Sequence, residues 1–478
     1  MSIEKEIRRG VFFNILSKYS NVLIQIVLMV ILSRVLSPEV FGEMALILTF
    51  LVFFNYFGNI GIGAAIIQKD NLSKEEIQEA FSFTVLLGIF LTGVYIFFSD
   101  FLSNYYGSNI FINTKLIVSI IVFFNCLNTV PNSILRKNKD FKIMSINEMI
   151  ANICSAILAI ILTFMKLGIY AIIFQNLSRI VILTILNLFF SKIFIKFKSK
   201  LNFSFLKKIY GYSIFEFLTN LLNYFSRSAD NILVGKYLGL DILGYYDRSY
   251  RLLLFPIKNL TQLLTPTLHP IFAVYKNDRG KMCKYYIKIS KLVILIALPI
   301  SIFIYFNSEL IIRIIYGDKW IKSSIYLKVL SLSLIPQMLN GVFQAFYLST
   351  DNSKKLFLNN IISNMILVGG IVIGIYKNSL LMVVYNITFG YFLKFFLDIF
   401  ILNTIIFNIK NRIFFREIKP VIYIFVIIVL SQLKNIDKIE NYYINFIFKG
   451  TILFIFYMIA LKITGELKYF KVLIRKKY

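Results

Sequence analysis

Residues 81–99 read FSFTVLLGIFLTGVYIFFS, a run without a single charged side chain. A helix of about 20 mostly apolar residues is long enough to cross the hydrocarbon core of a bilayer. Comparable runs recur along all 478 residues of the chain. The sequence therefore predicts an all-α integral membrane protein.

On this length criterion we predict about 14 transmembrane spans. They are residues 11–36, 41–67, 81–99, 111–134, 143–165, 168–191, 210–235, 243–272, 286–306, 323–349, 356–376, 379–408, 420–433 and 442–462. The eighth span is interrupted by Pro256, and the thirteenth is short.

Composition agrees with a membrane location. Charged residues make up 16% of the chain and hydrophobic residues 58%, whereas a soluble domain carries roughly 25% charged residues. The formal net charge is +28, but the lysines and arginines form short clusters between apolar runs, which argues against a nucleic-acid partner. These clusters lie on alternate loops, so the positive-inside rule predicts that both termini are cytoplasmic. The longest external loops, around 99–113 and 307–322, are too short for an extracytoplasmic domain.

The chain also contains an internal repeat. Residues 36–42 (LSPEVFG) align with residues 238–244 (LGLDILG) at an offset of 202. Residues 125–132 (NCLNTVPN) align with residues 337–344 (QMLNGVFQ) at an offset of 212. Because six predicted spans separate the copies, the halves share one orientation and are related by a pseudo-two-fold axis along the membrane normal.

The repeat predicts the domain organisation. We expect an N-terminal lobe over residues 1–191, a basic cytoplasmic linker over 192–209, a C-terminal lobe over 210–408, and two further helices with a basic cytoplasmic tail over 409–478.

Polar side chains follow one face of the first span in each half. They are Asn14, Lys18, Asn21 and Gln25 in the first half, and Glu216, Asn220, Asn223, Arg227 and Asp230 in the second. Their spacing of three or four residues places each set on one helical face. Adding 202 to the first set gives four members of the second. Because ionisable groups inside a span are costly, we interpret the two faces as the lining of a substrate cavity.

Simpler interpretations of these charges stay open. Arg227 and Asp230 are three residues apart and could pair with each other. Lys18 and Glu216 could extend towards the cytoplasmic surface. For Arg179, Lys258, Lys328, Lys394 and Asp398, which have no repeat partner, we expect such extension or local pairing.

A second pair of polar faces lies on the fourth and tenth spans. Asn125 and Asn128 correspond to Gln337 and Asn340 at the offset of 212. Their amides could line the same cavity or join neighbouring helices by hydrogen bonds.

The sequence predicts no catalytic residues, no metal site and no cofactor. It contains no phosphate-binding loop of the Gly-x4-Gly-Lys-Ser/Thr type. Cys126, Cys154 and Cys283 lack paired spacing, and His269 is the only histidine. A zinc site of the usual kind is therefore not expected.

Four stretches carry a family resemblance: residues 36–46 (LSPEVFGEMAL), 58–69 (GNIGIGAAIIQK), 229–256 (ADNILVGKYLGLDILGYYDRSYRLLLFP) and 315–320 (IYGDKW). They resemble the polysaccharide transporter branch of the multidrug, oligosaccharidyl-lipid and polysaccharide exporter superfamily, above all its lipopolysaccharide or teichuronic acid export proteins. The resemblance implies fourteen helices in two lobes around a central cavity. It also implies a flippase of the bacterial cytoplasmic membrane that moves oligosaccharide on undecaprenyl pyrophosphate by alternating access.

This resemblance would place Lys18 and Arg227 near the anionic pyrophosphate, although Glu216 and Asp230 argue against a purely cationic lining. Expected partners are membrane lipid and the polymerase and glycosyltransferases of the same pathway. Two alternatives remain: an ion-coupled multidrug or cation antiporter using Glu216 or Asp230, and a polysaccharide polymerase. The polymerase would need a large external loop, which is not predicted.

Overall fold

The computed structural model describes residues 3–69, 72–192, 217, 221, 224, 225, 227–273, 278–433 and 441–469. Within these ranges every regular element is a helix, and no strand occurs. The all-α prediction is therefore confirmed. The chain forms two compact units, Met1–Gly244 (unit 1) and Tyr245–Tyr478 (unit 2). The lobe boundaries inferred from the repeat remain a prediction.

Unit 1 contains seven labelled helices. They are α1 (Ile3–Val35), α2 (Pro38–Asn59), α3 (Ile62–Gln68), α4 (Lys74–Tyr106), α5 (Ile110–Lys137), α6 (Phe141–Phe164) and α7 (Ile169–Ser191). Residues 227–237 are also helical. The next helix, α8 (Leu240–Ala273), begins in unit 1 and continues into unit 2.

Unit 2 continues with α9 (Arg279–Ile315), α10 (Lys322–Ser331), α11 (Leu334–Ser349), α12 (Ser353–Tyr376), α13 (Leu380–Phe400), α14 (Asn411–Leu433) and α15 (Tyr442–Ile463). A π-helical segment, Ile401–Ile406, extends α13. A short 3-10 helix, Asp318–Trp320, follows α9.

The helices have the length and surface of membrane spans. Within the described residues, nine helices are long and apolar enough to cross a bilayer, or ten if the bent pair α10 and α11 is counted as one span. Their outward faces are apolar: Met365 on α12, Phe389 on α13 and Phe454 on α15 are all more than 60% exposed. An exposed and extensively apolar face of this kind is typical of a helix that contacts lipid. The count of fourteen spans remains a prediction.

Several helices extend beyond the predicted spans. The capping box at Ser73, whose hydroxyl accepts from the Glu76 N–H, starts α4 before residue 81. The helix continues to Tyr106, where Gly107 at φ +66° ends it. The loop predicted at 99–113 is therefore shorter in the structure. Because α9 reaches Ile315, the loop predicted at 307–322 is shorter as well.

Other spans differ in continuity. The tenth span breaks with a bend of 47° between α10 and α11. At this bend the Ser331 and Ser333 hydroxyls donate to carbonyls of the preceding turn. Such side-chain bonds compete with the backbone hydrogen bonds of a helix. The second span breaks at Gly61, which has a φ of +75°. By contrast, α8 is continuous through Pro256, and α14 begins at Asn411, before the predicted thirteenth span.

Within unit 1, the first turns of α2 and α8 cross at two glycines. A Cβ atom on Gly42 would lie 1.7 Å from the Leu240 carbonyl oxygen, and one on Gly244 would lie 1.9 Å from the Pro38 carbonyl oxygen. Adding 202 to positions 38 and 42 gives 240 and 244. Gly42 contacts the repeat equivalent of Pro38, and Gly244 contacts Pro38 itself. The two contacts are therefore equivalent under the repeat, as expected for two copies of one segment that cross each other.

Candidate functional site

Buried amides form a network between three helices of unit 1. Asn147 on α6 donates through Nδ2 to Asn187 Oδ1 on α7 at 2.9 Å. Asn187 donates in turn to Asn128 Oδ1 on α5, also at 2.9 Å. All three side chains are buried. In a bilayer such contacts satisfy polar groups that lipid cannot.

Unit 2 carries a charged version of this network. Asn359 on α12 donates through Nδ2 to Asp398 Oδ1 on α13 at 2.6 Å. One turn earlier, Lys394 Nζ donates to Asn360 Oδ1 at 2.8 Å. Asn359 lies 212 positions after Asn147, and Asp398 lies 211 positions after Asn187. The two networks therefore occupy matching places in the repeat, with an aspartate in unit 2 where unit 1 has an asparagine.

We predict that Asp398→Leu destabilises the protein more than Asp398→Asn. The leucine removes the acceptor of the buried Asn359 amide, and stranding a buried polar group costs about 1–3 kcal/mol. Asparagine keeps an acceptor oxygen, as Asn187 does in unit 1. Thermal unfolding of the purified protein in detergent measures the difference, with Asn187→Leu as the matched variant of the other unit. Equal losses for both substitutions of Asp398 would contradict this role for the network.

A third network includes one of the predicted cavity residues. Asn152 on α6 donates through Nδ2 to Asn21 Oδ1 on α1 at 2.9 Å, and its Oδ1 accepts from Arg179 Nε on α7 at 2.7 Å. Asn21 therefore joins α1 to its neighbours, and Arg179 pairs locally, as expected for a charge without a repeat partner.

The structure places the other predicted residues in different settings. Asn125 donates to the Ile121 carbonyl of its own helix, and Gln337 donates to Ser333 Oγ within one turn. Gln25 is exposed, and Asn340 is half-buried. These four do not bond to one another.

Arg227 and Asp230 lie in the helical residues 227–237. Arg227 is exposed, and Asp230 Oδ1 accepts from the Asn231 N–H at 2.8 Å. No ion pair between Arg227 and Asp230 occurs in the part of the chain that the structure describes. Glu216, Asn220 and Asn223 lie outside the described residues, as do the side chains of Asn14 and Lys18. The shared cavity lining thus remains a prediction.

A charged cluster near the start of α8 was not predicted as a site. Asp247 and Arg248 are buried within unit 2. Arg251 Nε donates to Asp247 Oδ2 at 2.7 Å, while the Arg251 side chain is 41% exposed. Its two Nη nitrogens form no hydrogen bond to the described residues, so they are available to an anion. The sequence did contain a sign of this pair: Asp247 and Arg251 are four residues apart inside the family-like stretch 229–256.

The side chains that surround this cluster fix its position. Tyr316 OH donates to the Arg248 carbonyl at 3.2 Å, and Tyr316 packs against Trp320. Ser249 Oγ donates to the Ser323 carbonyl at 2.8 Å. The stretch 315–320 therefore packs against α8. Two of the family-like stretches thus meet around Arg251.

The described residues offer binding groups rather than reactive ones. They contain no group of three or more His, Cys, Asp or Glu side chains that could hold a metal ion. The three cysteines are free. What the geometry provides is a set of amides and paired charges inside apolar helices, together with Arg251, whose Nη nitrogens can contact an anion.

Comparison with known proteins identifies the family. Residues 31–325, more than half of the chain, match the family described as polysaccharide biosynthesis protein. The chain belongs to this family. The resemblance inferred from the four stretches is thereby confirmed.

The chain is similar to three bacterial proteins. Teichuronic acid biosynthesis protein TuaB of Bacillus subtilis (strain 168) is 22% identical over 69% of this chain and 68% of TuaB. Succinoglycan biosynthesis transport protein ExoT of Rhizobium meliloti (strain 1021) is 21% identical over 69% and 66%. Lipopolysaccharide biosynthesis protein WzxC of Escherichia coli (strain K12) is 21% identical over 67% and 65%. The chain matches about two thirds of the length of each.

Solved structures show the same fold. The lipid II flippase MurJ in an inward closed conformation matches with a TM-score of 0.73 at 18% identity, over 97% of this chain and 100% of MurJ. An inward-facing multidrug resistance transporter of the MATE family matches with a TM-score of 0.63 at 15% identity, over 84% and 95%. The chain is thus a multi-pass membrane protein that shares the fold of these two transporters.

Proposed function

We propose that the protein is a flippase that moves an oligosaccharide linked to undecaprenyl pyrophosphate across the bacterial cytoplasmic membrane by alternating access. The observation that carries this proposal is the pairing of polar positions by the repeat inside apolar helices. Membership of the polysaccharide biosynthesis family and the MurJ-like fold support it. Both termini would be cytoplasmic, as the distribution of basic clusters predicts.

Arg251 is the described residue that best fits contact with the anionic headgroup. The buried Asp247 holds its Nε and leaves a planar pair of Nη donors for a phosphate oxygen pair. Guanidinium binds phosphate in this bidentate way and keeps its charge in a membrane protein. Lys18 and Arg227 are proposed as further cationic contacts, on the basis of their positions in the sequence.

We expect Arg251→Ala to slow translocation at least about tenfold, because a charge-assisted hydrogen bond contributes about 1.5–3 kcal/mol. Arg251→Lys should keep part of the rate, since an ammonium retains the charge without the fork of donors. The measurement uses the purified full chain in proteoliposomes loaded with an undecaprenyl-pyrophosphate oligosaccharide. An impermeant glycosidase then reports the fraction of sugar that has crossed.

Arg313→Ala is the matched control. Arg313 also pairs with an acidic residue four positions away, Glu309 at 3.0 Å, but close to the end of α9. Its loss should leave translocation within about twofold, as is usual for an exposed ion pair. If both substitutions slowed translocation equally, Arg251 would not be a specific contact of the headgroup. Uptake of a cationic dye without any sugar translocation would favour the antiporter instead.

A further inference from the structure

A polar cavity of about 570 Å³ lies at one end of unit 2. It is bounded by the start of α9, the turn between α11 and α12, and the end of the π-helical segment. The basic clusters of the sequence predict that this end is cytoplasmic. The cavity therefore lies where the phosphate groups of the inner leaflet and of the cytosol meet the protein.

Two cationic side chains line the cavity without a counter-ion of their own. Arg279 is the first residue of α9, and Lys355 lies in the first turn of α12. Neither forms an ion pair with any described residue. Asp351 also lines the cavity, so the three charges leave a net charge of +1.

The acidic neighbour of Arg279 does not neutralise it. Asp278 accepts from the Lys281 backbone N–H at 2.9 Å and pairs with Lys281 Nζ at 3.1 Å. These bonds lower the pKa of the Asp278 carboxyl. Asp278 is therefore bonded to the first turn of α9, and Arg279 remains available to a ligand.

The turn before α12 contributes Thr350 and Asn352 to the cavity wall. Asn352 Nδ2 donates back to the Thr350 carbonyl at 2.8 Å and to Thr350 Oγ1 at 3.0 Å. The Asn352 side chain consequently does not cap α12, whose first N–H groups receive no side-chain bond. These groups add a partial positive charge beside Lys355.

The remaining wall is apolar and comes from an unusual segment. Ile405 and Ile406 belong to the π-helix Ile401–Ile406, and Phe407 follows it. Ile405 is 50% exposed, while Phe407 is buried and stacks on Tyr286 with ring centroids 5.1 Å apart. π-helical turns are rare and often mark functional positions. A cationic pocket with an apolar edge fits a ligand that carries both a phosphate and a hydrophobic part.

We propose that this cavity is a binding site for a phosphate-bearing ligand, with Arg279 and Lys355 on the phosphate and Ile405 on its apolar portion. The phosphate can come from the headgroup of an anionic phospholipid or from a soluble phosphate compound. This proposal does not depend on the protein being a flippase.

Native mass spectrometry of the purified full chain tests the lipid source, with phosphatidylglycerol against phosphatidylcholine as probes. Calorimetric titration with inorganic pyrophosphate tests the soluble source. We expect Arg279→Gln combined with Lys355→Gln to weaken binding of one probe at least about tenfold, because two charge-assisted bonds are lost. Loss in the phosphatidylglycerol arm alone identifies a lipid site, and loss in the pyrophosphate arm alone identifies a soluble ligand.

Lys354→Gln combined with Lys284→Gln is the matched control. It removes the same number of charges near the starts of the same two helices, but neither residue lines the cavity, and the pair between Asp278 and Lys281 stays intact. Equal weakening by both double variants would show general attraction to a basic surface and overturn the proposal. The proposal would also be overturned if both probes bound the cavity variant as tightly as the wild-type chain. All four side chains lie near helix starts on the surface, so unchanged thermal unfolding confirms that the variants fold.

Discussion

Alanine at Gly42 is expected to lower the free energy of unfolding by about 3 kcal/mol or more, as overpacking against a rigid neighbour does. The new Cβ atom would lie 1.7 Å from the Leu240 carbonyl oxygen. No rotamer change relieves this contact, because the obstructing atom belongs to the backbone. The first turns of α2 and α8 would have to separate. Gly244→Ala should have a similar effect, since its Cβ atom meets the Pro38 carbonyl oxygen at 1.9 Å.

The chain offers matched controls for this experiment. Gly93 in α4 and Gly369 in α12 are also helical, but a Cβ atom at either position would meet nothing within 4 Å. Alanine there should be neutral or stabilise by up to about 1 kcal/mol, through higher helix propensity. Thermal unfolding in detergent and the yield of monodisperse protein measure all four variants. If Gly42→Ala unfolds at the same temperature as Gly93→Ala, the close crossing of α2 and α8 is not part of the folded protein.

The crossing shows what the repeat predicted and what it could not. Alignment of residues 36–42 with 238–244 paired Gly42 with Gly244 correctly. It did not indicate that each glycine admits a carbonyl of the other copy, because sequence similarity contains no information about which segments touch. The spans were predictable for a different reason: an apolar run of fixed length is required by the bilayer itself.

The polar networks were harder to predict than the helices. Asn128 was predicted as a cavity residue, yet it bonds to Asn187, a residue that no repeat alignment had marked. Asn187 and Asp398 lie on later helices, and their partners depend on how each helix rotates about its axis. Arg251 was missed because its role depends on the buried Asp247, and burial could not be inferred within an amphipathic stretch. Residue spacing predicted which side chains share one face of a helix, but it did not predict which side chains bond between helices.

Glu466→Gln is expected to destabilise the protein by about 3–5 kcal/mol, the usual cost of breaking a buried ion pair. Lys291 Nζ on α9 lies 2.8 Å from Glu466 Oε1, just beyond α15, and both side chains are only 4% exposed. Removing the carboxylate leaves a buried ammonium without a counter-charge. The sequence places Lys291 inside the predicted span 286–306 and indicates no partner for it. In the structure it joins the end of α15 to α9.

Two further bonds join these C-terminal helices to α9. Tyr457 OH on α15 donates to the Leu295 carbonyl at 2.8 Å, and Asn307 Nδ2 on α9 donates to Gln432 Oε1 on α14 at 3.0 Å. Because neither bond involves a charge, the ion pair should dominate. Glu466→Gln should therefore loosen α15 and expose residues near 463–469 to a protease added to the detergent-solubilised protein.

The double variant Lys291→Met with Glu466→Leu shows whether the loss in Glu466→Gln comes from the unpaired ammonium that it leaves. Apolar side chains of similar size can replace a buried ion pair at little cost or with a gain in stability, so the double variant should unfold above Glu466→Gln and near the wild-type chain. Asp100→Ala serves as the control, because it breaks an exposed pair with Lys115 at 3.2 Å, and such pairs contribute about 0–1 kcal/mol. A loss for Glu466→Gln no larger than that for Asp100→Ala would mean that water reaches Lys291. The last helix would then be held by apolar packing and by its neutral hydrogen bonds.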